Sequence, residues 1–367
     1  MQVGMSSLPR ILVVGPDTNF GWTESTARAL EAMGCAVSTI FYNRLPFRQE
    51  LKGARRILGE QGSTRLLEAP QWVRGIYSRL LTVQRIRRVI RAARTVRPDI
   101  VLILKGDSFT PAMLRKLKAA TQALLAIWWT DHPFMIAEFR RPWPLVPSCV
   151  PLYDHCFVFD RSYESILREA GARAVSFLPC AADPDLFVPQ ELEVADQVAY
   201  GASVSFIGAY YKSRAPIISA LADEPDLRVW GPGWKQWPGA KLNGLAGKLK
   251  GEARFHSETC KIYNASLVNL NLHHPQSQVA GLNCRAFEIL ASGSFELTNY
   301  VPGMEELLEP GREVAVFHSP SEAVELTRYY IKAADERRRM AEYGRRRVLA
   351  EHTYRHRMQS LLAALST

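Results

Sequence analysis

Short runs of consecutive apolar residues, each followed by a helical pattern, recur along this chain of 367 residues and limit its fold more than any other feature. Arg10-Ile-Leu-Val-Val-Gly15 is the first. Successive side chains of a strand point to opposite faces, so an unbroken apolar run needs cover on both, as in a parallel sheet between helices. A helix is expected over Glu24–Met33, closing at Gly34, and a strand over Cys35–Tyr42. From Trp72 to Thr95, apolar residues at Trp72, Ile76, Leu80, Val83, Ile86 and Ile90 keep helical spacing until Arg97-Pro98 ends the pattern. Further strands are expected at Asp99–Leu104, Leu124–Trp128 and Phe157–Phe159.

The stretch from Asp183 to Ser203 loses this periodicity, and a second alternating series follows at Val204–Gly208, Leu227–Gly231, Leu267–Leu272, Ser294–Thr298 and Val314–Phe317. The order predicts an α/β protein with two Rossmann-like, doubly wound domains in tandem. The expected organisation is a domain over 1–188, a linker over 189–203, a second domain over 204–345 and a last helical segment over 346–367 packing back on the first domain. No run approaches the roughly 20 apolar residues of a membrane span, and the start lacks a signal-peptide core, so a cytoplasmic protein is expected.

Thirteen Lys and Arg stand against three Glu between Pro46 and Arg97, a local excess equal to the whole formal net charge of +10. One basic face is expected. It either docks on an anionic membrane or polyanionic acceptor, or is a solvated arginine-rich helix face. No nucleic-acid module accompanies it, so nucleic acid is not an expected partner. The six cysteines form no C-x-x-C pair and read as buried thiols in a reducing compartment.

Four segments bear on chemistry. Gly15-Pro-Asp-Thr-Asn-Phe-Gly21, with Gly15, Asn19 and Gly21, is a strand-to-helix loop suited to a ligand or simply a tight turn. Gly208, Tyr210, Lys212 and Arg214 open the second domain either as a donor-phosphate loop or as a solvated basic one. Arg285 and Glu288 are three apart on a helix ending at Gly293, placed for a phosphate and a ribose or for a surface ion pair. Asp131 and His132 follow a strand beside Trp129, as an acid–base pair with a sugar-stacking aromatic or as structural residues. Asp183-Pro-Asp185 resembles a metal motif, but lacks a further ligand nearby and reads as a turn and helix cap; no metal and no cofactor is expected.

Asn283-Cys-Arg-Ala-Phe-Glu-Ile-Leu-Ala-Ser-Gly-Ser-Phe-Glu-Leu-Thr-Asn, Val301-Pro-Gly-Met-Glu-Glu-Leu-Leu, Pro310-Gly-Arg-Glu-Val and the ending from Gly344 are similar to the spore-maturation CgeB-like glycosyltransferases of the group-1 set. Val229-Trp-Gly-Pro-Gly-Trp234, which brings Gly231, Ile262–Ser266 and Leu178–Asp183 resemble that family more weakly. The resemblance implies a GT-B fold, two Rossmann-like domains facing each other across a cleft. It implies that Glu288 holds the donor ribose and that Gly208 and Arg214 lie by the diphosphate. Many relatives carry a second glutamate eight residues before the first; here that position is Ala280. Arg285 supplies the missing positive assistance by our own inference, not by the resemblance.

The expected function is metal-independent transfer of a sugar from a nucleotide diphosphate sugar to an acceptor. A nucleotide-sugar epimerase and a non-catalytic nucleotide-sugar-binding protein of the same fold are the rivals.

Overall fold

The computed structural model describes residues 8–17, 21–42, 84, 86–136, 141–142, 145–224, 226–237, 239, 244–252 and 257–366. They group into two compact units: residues 1–129, 142–157 and 165–176, and residues 130–141, 158–164 and 177–367. The grouping follows contacts rather than chain order. Three segments below residue 188 therefore join the second unit.

The first unit is built on a six-stranded sheet of β1 (Arg10–Gly15), β2 (Ala36–Phe41), β3 (Ile100–Leu104), β4 (Leu124–Trp129), β5 (His155–Val158) and β6 (Val175–Phe177), in the order β2-β1-β3-β4-β5-β6. β1 pairs in parallel with β2 and β3, and β3 with β4. Ile11–Val14 and Ile100–Leu104 are buried on both faces, as their unbroken apolar runs require. Helix α1 (Trp22–Ala32) follows β1. Only the end of the predicted 72–95 helix lies among the described residues: 86–96 are helical, with Ile86, Val89 and Ala93 buried. We label it α2; it stops at Arg97, φ 48°, before Pro98. Helix α3 (Pro111–Thr121) is capped by Thr110, whose side chain accepts from the Met113 amide.

The second unit holds β7 (Ala202–Ile207), β8 (Leu227–Trp230), β9 (Leu249–Gly251), β10 (Ser266–Asn271), β11 (Glu296–Asn299) and β12 (Ala315–Phe317), in the order β9-β8-β7-β10-β11-β12. Successive strands run outward from β7 in one direction and then from β10 in the other. That reversal puts a crevice outside the carboxyl ends of β7 and β10, where open α/β sheets bind ligands. Val204, Phe206, Val229, Val268, Leu270, Leu297 and Phe317 form the core beneath it, each at most 2% exposed. A fully buried side chain of this kind stabilises the fold by about 1.5–3 kcal/mol.

Residues 189–203, expected as a linker, contain a helix at Val194–Tyr200, tied by the Asp196–Lys261 pair at 2.7 Å. The short edge strands β6 and β9 escaped sequence reading because three residues give no usable period. The last helix, Tyr354–Leu365, is fixed by buried Arg357, which donates to the carbonyls of Pro179 and Cys180 at 2.9 Å. Those residues belong to the second unit. Among the described residues no helix is long and apolar enough to cross a membrane.

Candidate functional site

The carboxyl ends of β7 and β10 are bridged by two arginines. Arg285 stands in the first turn of helix α4 (Cys284–Ala291), where the Asn283 side chain caps the helix by accepting from the Ala286 amide. Arg285 donates from Nη1 to the Ile207 carbonyl (2.7 Å), from Nη2 to the Leu272 carbonyl (3.2 Å) and from Nε to Asn271 Oδ1 (3.2 Å). Arg214, 5% exposed, donates to the carbonyls of Ala209 (2.9 Å) and Leu272 (3.0 Å), and its guanidinium lies over the Tyr211 ring at 4.6 Å. The basic loop after β7 thus divides: Arg214 turns inward and Lys212 stays exposed. Both arginines satisfy backbone acceptors while concentrating two positive charges at the strand ends.

The glycines of this edge are demanded by the approach. A Cβ on Gly208 would lie 2.4 Å from Arg285 Nη1 and 3.1 Å from Arg214 Nη1. One on Gly231, φ 137°, would lie 2.1 Å from the Gly208 carbonyl oxygen. Trp234 Nε1 donates to that same carbonyl at 2.8 Å. Tyr210 stacks on Trp237, rings 5.4 Å apart and 25° from parallel, and meets Trp234 edge-on. These aromatics wall the edge beside β8.

Glu288 is not the surface partner of Arg285 that spacing alone allows. It is 4% exposed and its carboxyl makes no hydrogen bond among the described residues. Burial raises its pKa to about 8, against the opposing pull of Arg285. A carboxyl kept unspent one turn behind an arginine, beside a phosphate-suited edge, is chemically ready for two hydroxyl donors.

Sequence reading missed the polar residues that hold this edge. Asn271 and Asn283 exchange amide hydrogen bonds at 3.1 and 3.0 Å, and Asn271 also donates to Glu296 Oε1 at 2.8 Å. Glu296 is buried, and burial takes its pKa to about 8. His273, 6% exposed, accepts the Asn283 amide on Nδ1 at 3.3 Å, and burial with the two arginines lowers its pKa to about 3. A strand carrying Asn, Asn and His amid apolar residues, at Asn269, Asn271 and His273, is the signal that was available.

Asp131 and His132 fall in the second unit, against the loop after β10. Gln276 Nε2 donates to Asp131 Oδ1 at 3.1 Å, and the His132 amide donates to Gln276 Oε1 at 3.2 Å. The His132 ring lies 4.6 Å from that of Tyr163. Burial lowers the His132 pKa, with Asp160 opposing. Ala280, at the position where many relatives carry a second glutamate, is fully buried at φ 54°.

The remaining candidates are held by contacts of their own. Gly15 packs against Thr23, whose hydroxyl donates to the Pro16 carbonyl, and Gly21 precedes α1 with its carbonyl accepting from Ser25. Asn19 lies outside the described residues. Trp129 is 3% exposed and edge-on to Tyr153, an inward rather than a sugar-facing placement. Asp183 accepts the Asp185 amide in a turn at 3.1 Å; no helix follows it.

Residues 214–363 match the family model described as glycosyl transferase-like. No curated protein matches by sequence. Among solved structures, the chain resembles the sucrose-phosphate synthase of Thermosynechococcus elongatus at TM-score 0.65 and 14% identity, covering 97% of this chain and 99% of that one. The HepE protein of Anabaena, in complex with UDP and glucose, gives TM-score 0.65 and 13% identity over 97% and 99%. The α,α-trehalose 6-phosphate synthase of Burkholderia multivorans gives 0.59 and 13% over 98% and 96%. The chain therefore has the GT-B fold of glycosyltransferases, with a glycosyl transferase-like domain at residues 214–363.

Proposed function

We propose that this protein transfers a sugar from a nucleotide diphosphate sugar, of which a uridine diphosphate sugar is the first to test, to an acceptor still to be identified. The observation that carries the reading is the convergence of Arg214 and Arg285 on the carboxyl edge of β7 and β10, with the unspent Glu288 carboxyl behind them. The diphosphate is read beside Gly208 and the two arginines, the nucleoside toward Glu288, and Gly231, Tyr210 and Lys212 at the margin. As the sugar leaves, negative charge grows on the diphosphate, and fixed cations stabilise it without reorganisation. The family match over residues 214–363 and the UDP-bound HepE neighbour support this assignment.

Asp131 is read as the base that takes the acceptor hydroxyl proton, His132 as its neutral neighbour, and the loop from Gly15 to Gly21 as an acceptor-side loop of the first unit. The two arginines carry the charge-neutralising task here, which supports a metal-independent reaction. The CgeB-like subfamily remains our reading of the motifs around Arg285 and Glu288. Five of the six free cysteines are buried, in keeping with a cytoplasmic enzyme. Arg87, Arg91, Arg94 and Arg97 are exposed with no acidic residue between 84 and 98, which favours peripheral contact with an anionic surface.

A thermal-shift series with UDP, UDP-glucose and other nucleoside diphosphates, with and without EDTA, tests the reading. A ligand binding only the folded state raises the melting temperature by mass action. An EDTA-insensitive shift with one diphosphate, abolished together with release of that diphosphate in Arg285→Ala, is expected. No shift with any nucleotide overturns the donor site.

A further inference from the structure

The loop after β10 carries a residue that no motif reading singled out. Gln276 spends its whole side-chain amide on one segment: Nε2 donates to Asp131 Oδ1 at 3.1 Å, and Oε1 accepts the His132 amide at 3.2 Å. A backbone N–H only donates and a carboxylate only accepts, so a primary amide is the group that meets both at once. A glutamate here would still accept from His132 but would face Asp131 with a like charge.

Gln276 is itself held from three sides. Its amide donates to His274 Nδ1 at 3.2 Å, and its carbonyl accepts the Tyr163 hydroxyl. Two residues on, Asp160 accepts the amides of Gln278 (2.5 Å) and Val279 (3.0 Å) with one oxygen and the Ser162 amide and hydroxyl with the other. Asp160 is fully buried, so the loop has little freedom to drift. The loop also touches the arginine edge: the His274 ring lies 4.8 Å from Tyr211, which in turn lies under Arg214.

We propose that Gln276 is a positioning residue that fixes the Asp131 carboxylate in the orientation its base role requires. The proposal rests on the function assigned above, with Asp131 as base. The Gln276 amide holds Oδ1 and with it the direction of the carboxylate. Among the described residues, Asp131 acts electrostatically on His274 and Tyr163, and Asp160 on His132 and Tyr163.

The test uses the full chain labelled with 13C-aspartate, with Asp131→Asn assigning the Asp131 carboxyl signal. In Gln276→Glu, the titration midpoint of Asp131 should rise by about one pH unit or more, because a like charge at hydrogen-bond range disfavours the second ionisation. Gln276→Ala should raise it less, through loss of the N–H donor alone. Turnover, read as UDP released from UDP-glucose, should fall by about tenfold or more in both, since a misplaced base loses catalysis steeply. Its acid limb should move to higher pH in Gln276→Glu, with UDP affinity within about twofold of wild type. Gln276→Glu is near-isosteric and carries the test if the alanine variant does not fold. An unmoved Asp131 midpoint in Gln276→Glu, or a UDP affinity falling in step with turnover, overturns the positioning role. Asp131→Asn turning over at the wild-type rate overturns instead the base role beneath it, a separate result.

Discussion

Arg285 occupies the space a side chain on Gly208 would need: its Nη1 is 2.4 Å from where a Cβ would be built. The same Nη1 donates to the Ile207 carbonyl one residue earlier, at 2.7 Å. Gly208→Ala should therefore push the guanidinium off the strand end. Overpacking of this kind costs about 1–3 kcal/mol. Donor diphosphate affinity should fall by about tenfold or more, while uridine, which lacks phosphates, should be affected far less. Parallel calorimetric titrations of the variant with UDP and uridine make the comparison. Equal losses for both would place the arginines away from the phosphates.

Glu288 gives the complementary test. Its carboxyl is buried and makes no hydrogen bond among the described residues, so Glu288→Gln keeps the shape while replacing an ionisable acceptor with an amide. An ordinary hydrogen bond contributes about 0.5–1.5 kcal/mol, so disturbing two ribose contacts should weaken UDP by roughly 5- to 100-fold. The deoxyribose analogues of UDP should discriminate poorly between variant and wild type. Calorimetry with UDP and its 2′- and 3′-deoxy forms reads both effects. Full UDP affinity in Glu288→Gln would remove the ribose role.

The contrast between Glu288 and Gln276 shows what the chain made legible. Two apolar-run series predicted both sheets, because a strand buried on both faces must be apolar throughout. The pair Arg285 and Glu288 was visible as a helical spacing, but spacing could not tell a surface ion pair from a buried carboxyl behind an inward arginine. That distinction depends on what packs over α4. Gln276 was invisible because its partners, Asp131 and His132, lie 145 and 144 residues away. The second of the segments that join the second unit, residues 158–164, has the same origin: Asp160 binds amides more than a hundred residues distant.

The arginines of α2 lead to a prediction about surfaces. Arg87, Arg91 and Arg94 are exposed and fall at i, i+4 and i+7, hence along one face. Each cation near an anionic bilayer contributes about 1 kcal/mol. The protein should sediment with phosphatidylserine-containing vesicles at low salt and not at high salt. Replacing all three by Gln should weaken that partition by on the order of a hundredfold, three such contributions together. Sedimentation unchanged in the triple variant would identify the stripe as a solvated helix face.

Glu296 and Glu288 tie stability to pH in a direction opposite to the usual carboxylate. Burial raises both to about 8, from 4.5. Between those values the folded chain binds protons that the unfolded chain has released, so stability falls as pH rises. The contribution is fully present below about 4.5 and is lost as pH passes through about 8. His273 and His352, lowered to about 3 from 6.5, act the other way, weakening the fold as pH falls below 6.5. The two effects oppose each other between about pH 4.5 and 6.5, so the melting temperature should be highest there and decline from about pH 6.5 to 8.5. Glu296→Gln retains an acceptor for the Asn271 amide, whose bond to Glu296 is 2.8 Å, and removes one titrating group. It should melt close to wild type at pH 5.5 and above it at pH 8.5. Melting curves of both proteins at half-unit intervals decide the matter. A variant whose pH profile runs parallel to wild type over that interval would mean that Glu296 is ionised in the folded protein, with its charge met by a group other than Asn271.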